Sequence, residues 1–298
     1  MKKRTVVVAI LFIAILFVGV LVFYSGDLLA LIPGYYQNSP YNEIVVEKNE
    51  LVDENTILLD ENDGLDQEII LLGTSVEDYN AKMEKYEQIQ SNLAELSENV
   101  GLIVEYDEEL LALRLPTGIM RYVELSYELD TTRNDVMSVL QDIVRARVDL
   151  NTFRRIRVEF DNCLNNTDRT VEDLVISQSV STCNEKIVEM QGQVSLMETD
   201  HGVELEQLSE YLTLLFEQWD ANELYYAALA ERNYTAANEH DSVFSERKRQ
   251  ISELELGDVL NEFYAERMEV LISEFNVLSD EEAQKEEDAN DWYEKYIE

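Results

Sequence analysis

Hydrophobic and polar residues follow one another in this chain mainly at the three- and four-residue spacing of amphipathic helices. An uncharged apolar run comes first, from Thr5 to Tyr24, and the amphipathic stretches follow it. Beyond Gly118 the chain contains no Pro and only three Gly. Because other folds need more turn-forming residues over such a length, the pattern predicts a mostly α-helical protein.

The apolar run predicts a transmembrane anchor over residues 5–24, since twenty helical residues span about 30 Å, the thickness of a bilayer core. The basic residues 1–4 precede it, which favours a cytoplasmic N-terminus. The alternative is a cleaved secretory signal. Against it, the run exceeds a typical signal core and Phe23-Tyr24-Ser25 lacks the small residues of a cleavage site. We therefore expect a single-pass cell-membrane protein whose remainder is extracytoplasmic.

Three further segments follow the anchor. Residues 25–74 hold short apolar bursts bounded by Asn, Asp and Gly, which predicts a membrane-proximal spacer or a small strand-containing collar. Residues 75–279 predict a helical bundle, with Ser75 as the N-cap of a helix that ends near Gly101 and a second element over residues 102–115. Residues 280–298 predict a frayed, acidic terminal helix.

Helical stripes run through the bundle segment. The most regular one resembles a coiled-coil seam, with spacings that alternate between three and four. The fold class that follows is an N-terminal transmembrane helix and an elongated antiparallel helical bundle or coiled coil. The seam consists of Leu205, Leu208, Leu212, Leu215, Trp219, Asn222, Tyr226, Leu229, Asn233, Ala236, His240 and Val243.

The charge is unusually acidic, with 62 acidic and 23 basic residues and a formal net charge of −39. This argues against nucleic-acid binding, which relies on Lys and Arg to neutralise phosphates. Self-repulsion of this size disfavours compact states at low salt, and the composition resembles that of proteins from salt-loving microbes. An ordinary acidic protein that collects cations non-specifically is the alternative.

Cys163 and Cys183 are the only cysteines. Outside the cytoplasm two cysteines usually pair, so we expect a disulfide that bounds a loop, rather than two buried thiols. Two Asn-x-Thr sequons begin at Asn165 and Asn233 and are glycosylation candidates. The first lies in the predicted loop, whereas the second lies on the predicted seam, where a glycan would not pack.

One basic island interrupts the acidic chain, and two interpretations of it stay open. Its arginines either relieve the repulsion of acidic neighbours through ion pairs or form a docking face for an anionic partner. The members are Arg133, Arg145, Arg147, Arg154, Arg155 and Arg157.

Little in the sequence suggests catalysis. Glu198 and His201 match the Glu-x-x-His spacing of di-iron bundles, but the second such motif is missing, because His240 has Ala237 three residues before it. We expect no enzyme activity, no metal and no cofactor. The predicted function is a scaffolding or partner-binding stalk, anchored in the lipid bilayer, that binds a protein partner or its own copies. The alternative is an extracytoplasmic sensor or solute-binding bundle, with a polar pocket near Asn222 and His240.

Overall fold

A computed structural model describes residues 40–113, 115, 117–202, 205–254 and 259–296. Within these ranges the chain forms seven α-helices and no strand, which confirms the predicted mostly α-helical class. The helices are α1 Pro40–Leu71, α2 Val76–Ala112, α3 Thr117–Asn166, α4 Asp173–His201, α5 Glu206–Ala230, α6 Tyr234–Glu253 and α7 Val259–Tyr296.

The chain divides into two compact units. Unit 1 contains residues 40–71, 84–145 and 269–296, and unit 2 contains residues 72–83 and 146–268, within the described ranges. Helices α2, α3 and α7 contribute residues to both units.

Helix α1 replaces the predicted spacer or collar over residues 40–71, so the expectation of short strands there was wrong. The buried residues Tyr41, Ile44, Val45, Val52 and Leu59 are spaced so that they share one helix face. The Asn, Asp and Gly residues that looked like turn formers lie inside the helix, because burial of that face outweighs their weak local preference.

Helix α2 begins as predicted at Ser75. The Asp78 backbone N–H donates to Ser75 Oγ (3.1 Å), and the Ser75 N–H donates to Asp78 Oδ2 (3.1 Å), which is a reciprocal capping arrangement. The helix does not end near Gly101 but continues to Ala112, so the two predicted elements are one. Leu96, Val100 and Ile103 are buried on both sides of Gly101, and their packing holds the helix together there.

Three buried polar pairs connect α1 to α2 in unit 1, and we call them the polar ladder. Asn99 Nδ2 donates to Asn55 Oδ1 (2.9 Å), and Asn92 Nδ2 donates to Asn62 Oδ1 (3.0 Å). The third pair joins Lys48 to Asp107. The α1 members recur every seven residues while their partners run backwards along α2, so the two helices are antiparallel. A buried polar residue at a heptad position fixes the register of such a pair.

Unit 2 is built on α4, which packs on α5, and on α5, which packs on α6. Its core joins apolar residues of α3, α4 and α5, among them Phe153, Ile187 and Leu212. The predicted seam is not one helix, because α5 ends at Ala230 and α6 begins at Tyr234. Arg232 adopts a positive φ of 59° in the intervening turn, and Asn233 caps α6 by accepting a hydrogen bond from the Ala236 N–H (3.2 Å).

Helix α7 extends to Tyr296, so the predicted acidic terminal segment is helical over residues 280–296. Ala289 and Tyr293 are buried in unit 1 against Tyr122 and Leu125. The Trp292 indole also donates to the Gly118 carbonyl (2.9 Å). Acidic residues flank these apolar positions, and the burial of the apolar face determines the outcome.

None of the described helices is both long enough and apolar enough to cross a bilayer. The predicted anchor, residues 5–24, lies outside the described residues.

Candidate functional site

The most distinctive chemistry of unit 1 is a group of five buried charged residues, which we call the charge cluster. Helix α1 contributes a lysine, α2 an aspartate, α3 an aspartate and an arginine, and α7 a glutamate. Each is at most 9% exposed, which is rare for charged residues and requires that they be paired. The members are Lys48, Asp107, Asp130, Arg133 and Glu282.

Lys48 lies at the centre of the charge cluster. Its ammonium donates to Asp107 Oδ1 (2.6 Å), Asp130 Oδ2 (2.8 Å) and Ser126 Oγ (2.9 Å). These three bonds use all the protons of the ammonium group. Burial alone would lower the pKa of Lys48, but Asp130 and Asp107 outweigh it and hold this pKa above its usual value. The lysine is therefore charged throughout the physiological range.

Arg133 is the second cation of the charge cluster. Its Nη1 donates to Asp130 Oδ1 (2.7 Å) and its Nε donates to Glu282 Oε1 (3.1 Å). Burial would lower the pKa of Arg133, but Asp130 and Glu282 raise it. Its Nη2 is buried and makes no hydrogen bond within the described part of the chain.

The three carboxylates differ in how well the two cations compensate them. Burial would raise the pKa of Asp130, but Lys48 and Arg133 together hold it well below its usual value. Burial raises the pKa of Asp107 to about 7, against the opposing effect of Lys48. Burial also raises the pKa of Glu282, against Arg133. Three acids share two cations, so the charge cluster has one negative charge in excess when all are ionised.

A cavity of about 30 Å³ adjoins the charge cluster, bordered by Lys48, Tyr122, Asp130, Arg133 and Glu286 among others. A space of this size holds one or two water molecules and is far smaller than a typical organic-ligand pocket. The site therefore suits internal charge pairing and proton exchange better than binding of an organic substrate.

The sequence analysis missed this site, although a signal for it was present. Lys48, Asn55 and Asn62 recur at a spacing of seven, as do Asn92 and Asn99. Polar residues at heptad spacing among apolar ones indicate a buried, register-setting stripe. Because residues 25–74 were interpreted as a spacer or a small collar, the heptad spacing of Lys48, Asn55 and Asn62 was not recognised.

The predicted disulfide is present in unit 2, where Cys163 and Cys183 are joined with a Cα–Cα distance of 5.6 Å. It connects the last turns of α3 to α4, and Cys183 is fully buried. Cys163 packs against the same core, so the bridge is part of the interior of unit 2.

Several arginines of the basic island make ion pairs. Arg145 pairs with Asp142 (3.0 Å) on the exposed surface. Arg155 Nε lies 3.8 Å from Glu159 Oε1, and its Nη1 donates to Asn80 Oδ1 (3.4 Å).

The remaining arginines of the basic island differ in their surroundings. Arg147 and Arg154 also have interaction partners, whereas Arg133 belongs to the charge cluster. The exposed Arg157 completes the set. The ion pairs favour the stabilising interpretation of the island, and its use as a docking face stays a prediction.

The leucines of the predicted seam lie inside the chain's own core. Leu205, Leu208, Leu212 and Leu215 are buried in unit 2, so this part of the seam is intramolecular. Trp219 and Tyr226 are half-buried, and the Trp219 ring contacts Phe160 and Phe244 edge to face. Assembly through this seam would compete with the packing of unit 2.

Both sequons are accessible at their asparagines. Asn165 is exposed in the last turn of α3. Asn233 is exposed in the turn before α6, so the expectation that it lies on a packed seam was wrong. Its side-chain oxygen forms the cap of α6, which leaves its amide nitrogen unused by that bond.

The contacts of the two histidines and of Glu198 bear on the predicted Glu-x-x-His pair and polar pocket. His201 Nε2 is hydrogen-bonded to Asp149 Oδ2 (2.9 Å), and Glu198 Oε1 accepts from the Leu205 N–H (2.8 Å). Thus Glu198 and His201 have different partners. Within the described ranges no three His, Cys, Asp or Glu residues are grouped as metal ligands. Asn222 on α5 and His240 on α6 are both half-buried.

Over the part of the chain that the structure describes, the protein is all-helical, with a buried charge cluster in one unit and a disulfide in the other. Comparisons with protein families, with curated proteins and with solved structures give no match to this chain.

Proposed function

We propose that this protein is a single-pass, membrane-anchored helical scaffold whose helical part lies outside the cytoplasm and binds a protein partner or further copies of the chain. The Cys163–Cys183 disulfide carries the proposal, because structural disulfides persist in oxidising compartments and are rare in the cytoplasm. The basic and apolar N-terminal sequence, residues 1–24, independently favours the same orientation.

The chemistry of the charge cluster supports a structural rather than a catalytic role. Its cations and carboxylates bind one another, and the adjoining cavity is of water size. Such a cluster fixes which helix faces meet, which is what a scaffold needs in order to present a defined surface.

The orientation is tested by adding protease to intact cells that express the full chain, followed by detection of a C-terminal tag. We expect cleavage without lysis and, in the same preparation, a Cys163–Cys183 linked peptide on non-reducing mass mapping. A chain that is cleaved only after lysis, or that yields two free thiols, contradicts the proposal. A cytoplasmic marker protein that survives the protease is the control for cell integrity.

Partner binding is tested separately, by chemical crosslinking in native membranes. We expect a crosslinked species that contains this chain at a fixed stoichiometry with itself or with one other protein. Charge reversal of Arg157 tests the docking face, with charge reversal of Arg121, which lies on the same helix but outside the basic island, as the matched control. Loss of crosslinking in the first variant alone, with the melting temperature unchanged, supports docking. Equal crosslinking in both variants contradicts it.

A further inference from the structure

Asp107 is the least compensated carboxylate of the charge cluster. It is 1% exposed, and its Oδ1 accepts one hydrogen bond from Lys48. Its Oδ2 is buried and has no hydrogen-bond donor within the described part of the chain. A buried carboxylate oxygen without a donor is costly, because it has lost its hydration without replacement.

Asp130 contacts both cations of the charge cluster. Its Oδ2 accepts from Lys48 and its Oδ1 accepts from Arg133, so both oxygens face cations. Because the same ammonium contacts both aspartates, Asp107 and Asp130 are held beside each other as like charges. After burial and against Lys48, Asp130 also raises the pKa of Asp107, through its like charge and through a hydrogen bond between the two side chains.

We propose that Asp107 is a proton-binding site: a proton from hydronium forms an O–H bond on its carboxylate, the cluster loses its excess negative charge, and the new hydroxyl group donates to Asp130. One O–H bond of hydronium is broken as this bond forms, and the water left from hydronium returns to the solvent. The adjoining cavity, with room for one or two waters, borders Lys48 and Asp130, the two residues that interact with Asp107.

The groups around Asp107 leave it as the member that titrates near neutral pH. Lys48 and Arg133 stay charged, and Asp130 stays ionised, for the reasons given above. Burial raises the pKa of Tyr122 to about 12, so this phenol stays neutral. Glu282 and Glu286 are the competitors, since burial raises the pKa of each. Arg133 opposes the shift in both, and its guanidinium donates a hydrogen bond to Glu282 Oε1.

Proton binding at Asp107 links the packing of α1, α2 and α3 in unit 1 to pH. The folded-state pKa of about 7 lies above the ordinary value of 3.8, so the native state holds the proton that the unfolded chain has released. The contribution of Asp107 to the free energy of unfolding is therefore largest at low pH. It falls as the pH rises towards this pKa and is constant above it. This inference does not depend on the membrane orientation of the chain.

The test uses the full chain in detergent micelles and compares four proteins: the unchanged protein, Asp107→Asn, Glu282→Gln and Asp135→Asn. Asp135 is exposed on α3 and serves as the matched control. The buffer contains about 1 M salt, where the Debye length of about 3 Å screens the surface acids, whose titration would otherwise give a slope of the same sign. Two measurements are made at about pH 5.5 and about pH 8.5, on either side of the Asp107 pKa. They are the urea midpoint and the infrared band of a protonated carboxylic acid.

We expect the unchanged protein and Asp135→Asn to show the band and a higher urea midpoint at the lower pH. In Asp107→Asn the band is lost and the midpoint becomes nearly independent of pH, because the amide mimics the protonated carboxyl group. If Asp107→Asn retains the band, the proton lies on another carboxylate and the assignment is overturned; loss of the band in Glu282→Gln then identifies Glu282, and its retention there points to Glu286. If the infrared spectrum of the unchanged protein shows no such band at either pH, no buried carboxylate binds the proton and the proposal fails. If a variant is too unstable for the urea series, the infrared band alone identifies the carboxylate that binds the proton.

Discussion

Replacing Lys48 by Met should reveal how strongly the charge cluster stabilises unit 1. The substitution removes the ammonium that contacts Asp107 at 2.6 Å and Asp130 at 2.8 Å, while the methionine stem keeps most of the packing of the lysine stem. Asp130 retains Arg133, but Asp107 loses the one cation that it contacts among the described residues. Two like charges are then left beside each other in a buried site.

The expected loss is about 3–5 kcal/mol in the free energy of unfolding, the range found when one partner of a buried ion pair is removed. The loss should be largest at about pH 8.5, where Asp107 is ionised, and smaller at about pH 5.5, where a proton neutralises it. Adding Asp107→Asn to Lys48→Met removes the uncompensated charge. We expect the double variant to be about 1–3 kcal/mol more stable than the single one, because it no longer leaves a buried carboxylate without a partner.

The assay is urea unfolding followed by far-UV circular dichroism, with amide hydrogen exchange to localise the change to unit 1. Lys85→Met is the matched control, because Lys85 pairs with Glu68 on a surface where the glutamate side chain is 62% exposed. Exposed ion pairs contribute about 0–1 kcal/mol. If Lys48→Met costs no more than Lys85→Met, or if Asp107→Asn makes it worse, the charge cluster does not have the energetic role inferred from its geometry.

Three further predictions concern the disulfide, the cap of α2 and the acidic surface. Replacing Cys163 and Cys183 by Ala should lower the free energy of unfolding by about 3 kcal/mol, since the bridge closes a loop with a sequence separation of 20; chemical denaturation that shows no change would contradict this. Ser75→Ala should cost about 1 kcal/mol through loss of the hydrogen bond to the Asp78 N–H, with Ser75→Asp restoring stability in the same assay. The melting temperature should rise between about 0.1 M and about 2 M salt, because screening reduces the self-repulsion of the net charge of −39; equal melting at both concentrations would show that the acidic surface is not salt-adapted.

The sequence predicted well those features that depend on residues close together in the chain. It also predicted the disulfide, because the chain offers each cysteine one possible partner. The scarcity of Pro and Gly after Gly118 predicted helix, because a chain without turn formers has few other regular structures to adopt. Ser75 and Asp78 lie three residues apart, so their capping bonds are encoded within one turn. The disulfide followed from there being only two cysteines.

The features that the sequence did not predict depend on which helix faces meet. Helical spacing through residues 229–236 continues an apolar pattern, yet Arg232 and Asn233 form a turn, because folding back lets α6 pack on α5. The acidic composition of residues 280–298 suggested fraying, yet Glu282 is buried because Arg133, far away in sequence, neutralises it.

Sequence alone therefore determined the helical class of the described residues beyond Gly118, the excess of negative charge and the covalent cross-link. Only the tertiary structure decided that a lysine from α1 meets an aspartate from α2 and another from α3, and so created a buried site with more acids than bases. The physical reason is that periodicity identifies the buried face of a helix, whereas the partner of that face depends on the packing of the whole unit. The charge state of Asp107 depends on that packing, since its burial and its single lysine contact come from other helices.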